Sequence, residues 1–127
     1  MTRTLLFVCP HGAGKSRMAA AFFNRVAPSG WQAVSAGQEP AETVNLDTVR
    51  LLSGSPVEAL LDRDPPRPVT AVEAPDRIIA IDCEVSGAAR WDLVHQEINE
   101  GMRDELRERA EVMALEIKRG HGADRPA

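Results

Sequence analysis

The alternation of apolar and polar positions divides the chain into strand-like and helix-like segments. Thr4 to Val8 is a short run, apolar after its first residue and ended by turn formers, which predicts a buried strand. A helix is predicted from near Ser16 to about Val26, stopped by Pro28-Ser29-Gly30. Trp31 to Ser35 reads as a second strand closed by Ala36-Gly37, with Glu39-Pro40-Ala41 as loop. Asp47 to Leu52 reads as a short helix on which Val44, Leu51 and Leu52 share a face, broken by Ser53-Gly54-Ser55-Pro56. Val57 to Leu61 suits one more helical turn, and Asp64-Pro65-Pro66-Arg67-Pro68 must be extended. Arg77 to Ile81 is the clearest strand after the first, with the continuous apolar character of a strand covered on both faces. Arg90 to Val94 is the fourth strand. A long amphipathic helix is expected from about Ile98 to Lys118, where Met102, Leu106, Met113 and Ile117 recur at helical spacing. Its dense Glu and Arg positions read as a solvated face. Residues 1–119 then make one domain and 120–127 a frayed tail.

Strands alternating with helices imply a single α/β domain built on a parallel sheet. The site of such a sheet lies beyond the carboxyl ends of its strands. Cys9 ends the first strand and Cys83 closely follows Ile81, so both thiols are expected on that edge. If their strands are neighbours, the axes lie about 4.8 Å apart.

Composition narrows the class. The 127 residues, 43% hydrophobic and 27% charged, fit one soluble globular domain. A net charge of −4 argues against nucleic acid or an anionic membrane as the main partner. Two cysteines are too few for a disulfide scaffold, which points to a reducing cytoplasm. No run is long enough to span a bilayer, and the N-terminus carries no secretory pattern. No cofactor or metal is called for.

The candidate chemistry sits in Leu5 to Ala19. An apolar strand ends in Cys9. Pro10-His11-Gly12-Ala13-Gly14 forms a loop, and Lys15-Ser16 opens a helix. Backbone amides in such a turn make a concave anion site, reinforced by the helix dipole. A thiol at its base is of the kind that ionises readily. Lys15 at a helix N-terminus opposes the dipole unless an anion sits there. Blander readings stand beside these. Cys9 and Cys83 can be buried filling, His11 and His95 surface residues, and Trp31 and Trp91 core. Gly14-Lys15-Ser16 also matches the end of a nucleotide-binding P-loop, with Cys9 in place of its first glycine and Ile79-Ala80-Ile81-Asp82 as an acidic strand.

Cys9, five residues, then Lys15-Ser16 with Met18-Ala19 inside the helix resembles the phosphate loop of the low-molecular-weight protein tyrosine phosphatases and the thiol-dependent arsenate reductases. Val34-Ser35-Ala36-Gly37 with Glu39-Pro40-Ala41, and Arg67-Pro68-Val69-Thr70, resemble further segments of that family. The similarity spans roughly residues 4 to 115. The resemblance implies a three-layer domain with a four-stranded parallel sheet, order 2-1-3-4, and helices on both faces. It implies phosphomonoester hydrolysis, as on phosphotyrosine, or arsenate reduction. The departures are plain. Lys15 replaces the family arginine, and His11-Gly12 replaces a mid-loop Gly-Asn. The Asp-Pro after strand four is missing, with His95 in the place of that Asp and Asp92 the nearest carboxylate. There is no further cysteine after Cys83.

In that scheme the Cys9 thiolate attacks phosphorus or arsenic while amides 10 to 16 and Lys15 hold the oxygens. Ser16 donates to the thiolate, and His95, His11 or Asp92 supplies the proton. With arsenate, Cys83 attacks the Cys9 adduct and closes a disulfide that thioredoxin or a small thiol reduces. The expected partners are therefore phosphate, arsenate or a phosphomonoester. A catalytically impaired oxyanion sensor of the same fold is the alternative, since lysine lacks the bidentate fork of arginine.

Overall fold

The computed structural model describes residues 2–120. Four strands form one parallel sheet in the order β2-β1-β3-β4: β1 (Arg3–Cys9), β2 (Trp31–Gly37), β3 (Arg77–Ile81) and β4 (Ala89–Trp91). The helices are α1 (Lys15–Val26), α2 (Leu46–Leu52) and α3 (Glu100–Lys118), with 3₁₀ turns at Glu58–Leu60 and Val69–Ala71. The expected α/β class, parallel sheet and strand order are all present.

The central position of β1 explains its composition. Leu5 to Val8 are fully buried, because strands flank β1 on both sides and both faces are covered. One face carries Leu5, Phe7, Cys9, Ile79 and Ile81, packed under Met18, Phe22 and Phe23 of α1 and Met102, Leu106, Met113 and Ile117 of α3. Each such side chain contributes about 1.5–3 kcal/mol on burial. All four residues expected on the apolar stripe of α3 are in this core. The other face carries Leu6, Val8, Ala36, Ala80 and Cys83 under a thinner layer. Its cover includes Val69 and Val72, in and beside the 3₁₀ turn Val69–Ala71, and Val85 and Ala88 of the following loop.

Several boundaries differ from expectation for identifiable reasons. β1 and β2 run on to Cys9 and Gly37, which face each other in register. β4 starts at Ala89 and stops at Trp91, not Val94. Beyond Trp91 the N–H groups turn away from the ladder. Leu93 donates to the Asp82 carboxylate, and Val94 and His95 donate to that of Glu105. The long helix begins at Glu100 because Asn99 caps it, its side chain accepting from the Met102 amide. Val57 to Leu61 contains a 3₁₀ turn. On α2 the buried residues are Thr48 and Leu52.

Trp31 and Trp91 are half-buried on the outer strands and pack against the core, as expected. The Arg3 guanidinium lies 5.7 Å from the Trp31 ring, and Arg109 lies 5.7 Å from that of Trp91. Gly120 ends the described chain in a turn, and the rest of the expected tail, 121–127, lies outside the described residues. Among the described residues no helix is long and apolar enough to cross a membrane.

Candidate active site

The carboxyl end of β1 delivers Cys9, 3% exposed, to the floor of the loop at residues 10–14. The loop's form follows from where its carbonyls go. Pro10 O accepts from Glu39 N at 2.8 Å, His11 O from Ala41 N at 3.0 Å and Ala13 O from Asn45 N at 2.9 Å. Gly12 O accepts from the Arg17 side chain, Nε at 2.7 Å. None of the described residues has a cis peptide bond, and in a trans peptide the next N–H points opposite to the carbonyl. Carbonyls held outward therefore turn the amides of His11, Gly12, Ala13 and Gly14 toward the thiol side. The Gly12 amide shows this directly, donating to Cys9 Sγ at 3.3 Å.

Behind the loop, α1 starts at Lys15 with Gly14 as N-cap. It has no side-chain cap and no acidic residue in its first turn. Its first-turn amides lack intrahelical acceptors, so an anion bound there would cap the helix. Ser16 is fully buried; its Oγ lies 3.2 Å from Cys9 Sγ and 3.5 Å from Ala36 O. Two glycines allow the loop to dock on β2. Gly12 has φ +67°, and a Cβ on it would lie 2.7 Å from Gly37 N. A Cβ on Gly37 would lie 2.4 Å from the His11 carbonyl carbon.

Lys15 turns its ammonium to Asp82, with Nζ–Oδ2 at 2.7 Å and side chains 18% and 13% exposed. Asp82 follows β3 in a left-handed conformation, φ 54°. It also accepts from Leu93 N at 2.9 Å and from Gln96 Nε2 at 3.3 Å. Burial pushes its carboxyl up, but the bonds from Lys15, Leu93 and Gln96 outweigh that and hold it below the usual carboxylate value. The pair joins the phosphate-type loop to β3 and to the loop after β4.

Cys83 lies on the same sheet edge but against the opposite face from Cys9. Its thiol points to Val8 O at 3.6 Å, and burial pushes its pKa up. His95 pairs through Nδ1 with Glu105 Oε1 at 2.9 Å. Asp92 is exposed and bound by Arg90 Nε at 2.7 Å. His11 is exposed, with Nδ1 3.2 Å from Glu39 O. The structure thus brings together Cys9, residues 10–14 and Ser16. It sets Lys15 on Asp82, and ties His95, Asp92 and His11 to neighbours of their own.

Sequence reasoning gave Arg17 and Thr48 no role, took Gly37 only as the close of the second strand and part of a family-like segment, and took Asp82 only as part of an acidic strand. An aspartate directly after a buried strand, and an arginine opening a buried helical run, were the available signals. Thr48 gave none: its buried hydroxyl, without a hydrogen-bond partner, lies 3.1 Å from where a Cβ on Gly14 would be. No group of His, Cys, Asp or Glu among the described residues has the arrangement of a metal site.

Solved structures resemble this chain closely in fold. An arsenate reductase from Archaeoglobus fulgidus is 31% identical over 87% of this chain and 98% of its own, with a TM-score of 0.69. A thioredoxin-dependent arsenate reductase from Corynebacterium glutamicum is 25% identical over 94% of this chain and 64% of its own, with a TM-score of 0.75. A low-molecular-weight protein tyrosine phosphatase from T. tengcongensis shares the fold at 16% identity, covering 91% of this chain and 99% of its own, with a TM-score of 0.68. No protein-family model and no curated protein matches the chain.

Proposed function

The chain belongs to the family of arsenate reductases and low-molecular-weight protein tyrosine phosphatases, and from that premise we propose that Cys9 is the nucleophile of a reaction on a tetrahedral oxyanion, with arsenate reduction as the first reading. The observation that carries the proposal is the cradle itself. Outward-held carbonyls, an uncapped helix N-terminus and a thiol at the base are arranged around one point. A loop built this way has no other evident use for its amides.

In this reading the thiolate of Cys9 attacks arsenic, and one oxygen leaves as water after protonation. The amides of residues 10 to 16 stabilise the oxyanion; at rest the Cys9 thiol donates to Ser16 Oγ at 3.2 Å, and once Cys9 is ionised that hydroxyl turns to donate to the sulfur. Cys83, as a thiolate, then attacks Cys9 Sγ. The sulfur–arsenic bond breaks with its electron pair on arsenic, which leaves as arsenite, and a Cys9–Cys83 disulfide remains. Thioredoxin or a small thiol supplies the two electrons that reopen it. Lys15 supports the oxyanion from the Asp82 pair, as an ammonium at the rim. The proton comes from solvent or from His11, His95 or Asp92.

Phosphomonoester hydrolysis is the second reading, and one observation favours it. Cys83 packs against the opposite sheet face from Cys9 and is buried, so its use requires the loop of residues 83–88 to move. Hydrolysis needs Cys9, the cradle and a proton for the leaving group, with water cleaving the thiophosphate, and makes no use of Cys83.

A paired assay on the purified protein separates the readings: thiol-dependent arsenate reduction and p-nitrophenyl phosphate hydrolysis, each with Cys9→Ser as control. Reduction lost in both Cys9→Ser and Cys83→Ser supports the first. Hydrolysis lost only in Cys9→Ser supports the second. Anion binding with neither turnover leaves an oxyanion-binding protein, and no binding at all rejects the proposal.

A further inference from the structure

Of the outward carbonyls of the loop, those of Pro10, His11 and Ala13 are held by backbone amides, which no side-chain change removes. Gly12 O is held by a side chain, that of Arg17, and by a cationic donor. Arg17 is 1% exposed and is the largest fully buried side chain described. Residues 16 to 23 are all buried in α1, so an apolar residue would fit the position by burial alone. Arginine there has a cost. Its Nη2 is buried without a hydrogen-bond partner, and burial lowers the pKa of the guanidinium. A buried charge of this kind is weak evidence for stability, so what distinguishes Arg17 is where its donors go.

Those donors have two destinations. Nε reaches Gly12 O at 2.7 Å, and Nη1 reaches Asp62 O at 2.5 Å. The Asp62 carboxylate is shared between Arg17 and Arg67. It lies 3.7 Å from Arg17 Nη1 and 2.7 Å from Arg67 Nη2. The guanidinium is thus anchored to the 61–67 segment, and its one contact with the loop is on the Gly12–Ala13 peptide.

We propose that Arg17 is a positioning residue for the oxyanion: from behind the loop it fixes the Gly12–Ala13 peptide so that the Ala13 N–H faces the bound anion. The inference rests on the oxyanion reading above. A charged donor on the carbonyl also polarises the peptide and strengthens its N–H as a donor. The guanidinium that an oxyanion site uses is thus placed behind the amides and acts through them, while the residue at the loop's end, Lys15, is engaged with Asp82.

The test uses the full chain and inorganic phosphate. Phosphate protection of Cys9 against iodoacetamide gives the dissociation constant in wild type, Arg17→Met and Arg17→Lys, with melting curves without phosphate recorded for each. Arg17→Met is expected to weaken phosphate about tenfold or more, the loss of one charge-assisted contact. Arg17→Lys, which keeps a cationic donor, is expected to recover most of it. Recovery at an unliganded melting temperature no higher than that of Arg17→Met separates positioning from stability. A second measurement needs no variant: in wild type, saturating phosphate should move the Ala13 amide proton in the NMR spectrum. Phosphate binding unchanged in Arg17→Met, or an Ala13 amide unmoved at saturation in a wild type that binds, overturns the inference and leaves the oxyanion reading standing. A wild type that binds no phosphate overturns both.

Discussion

Gly12 and Gly37 show how the site depends on missing atoms. The loop lies so close to the end of β2 that a Cβ on Gly37 would meet the His11 carbonyl oxygen at 2.7 Å as well as its carbon. Those neighbours are backbone and cannot rotate away. Gly37→Ala is expected to lower stability by roughly 1–3 kcal/mol through overpacking and to abolish phosphate protection of Cys9. Normal binding by a folded Gly37→Ala protein would show that the docking is not needed. The Lys15–Asp82 pair is a second residue-level dependence. Asp82→Ala leaves a largely buried ammonium and the Leu93 N–H without their acceptor, which should cost roughly 1–3 kcal/mol. Lys15→Met in the same chain removes the stranded charge. The double variant should therefore be less destabilised than the two single effects summed, and additivity in denaturant unfolding would count against coupling.

At the scale of elements, the loop after β4 is held to α3 by one carboxylate. Glu105 accepts from the amides of Val94 and His95, from His95 Nδ1 and from Arg109 Nε. Burial pushes its pKa up, yet these bonds lower it from 4.5 to about 2. Because folding depresses this pKa, the stabilisation is complete above the unfolded value of 4.5 and is lost as pH falls through about 2. Glu105→Gln should cost roughly 1–3 kcal/mol at pH 7. The difference from wild type should shrink steadily below pH 4.5 when the two are unfolded in urea. A difference constant down to pH 2.5 would mean that the carboxylate charge is not what holds the loop.

For the whole molecule, the cradle links ligand to fold. If phosphate binds only the folded chain, a concentration a hundredfold above its dissociation constant adds about 2.7 kcal/mol. For a domain of this size that raises the melting temperature on the order of 10 °C. Sodium chloride at matched ionic strength is the control, and an equal rise there would reject a specific site. The two thiols make a second whole-molecule prediction. Arsenate treatment should give an intramolecular Cys9–Cys83 disulfide in peptide mass spectra. A disulfide needs Cα atoms within about 7 Å, and the thiols now pack on opposite sheet faces, so closure should also increase protease access to residues 83–88. Two free thiols after treatment would leave hydrolysis as the surviving reading.

Local pattern was enough for the strands, the main helices and the parallel character of the sheet; the strand order came from the family resemblance. Leu5 to Val8 and Ile79 to Ile81 are apolar because their strands lie inside the sheet. Met102, Leu106, Met113 and Ile117 repeat because one face of α3 is buried. The cysteine, glycine loop and helix start could likewise be read as an anion cradle, since neighbours in sequence build it. What sequence left open was each partner supplied from far along the chain. Lys15 reads as an oxyanion ligand, but its pairing with Asp82, 67 residues away, is invisible in the sequence. His95 stands in the place of a proton donor, and that α3 brings Glu105 to its ring could not be read locally. β4 was expected to continue because nothing local says that the Asp82 and Glu105 side chains take its N–H groups. Arg17 read as an ordinary helix residue, and only packing put it under the Gly12 carbonyl. Periodicity reports which face of an element is buried; it carries no information on which donor meets which acceptor once elements distant in the chain are folded together.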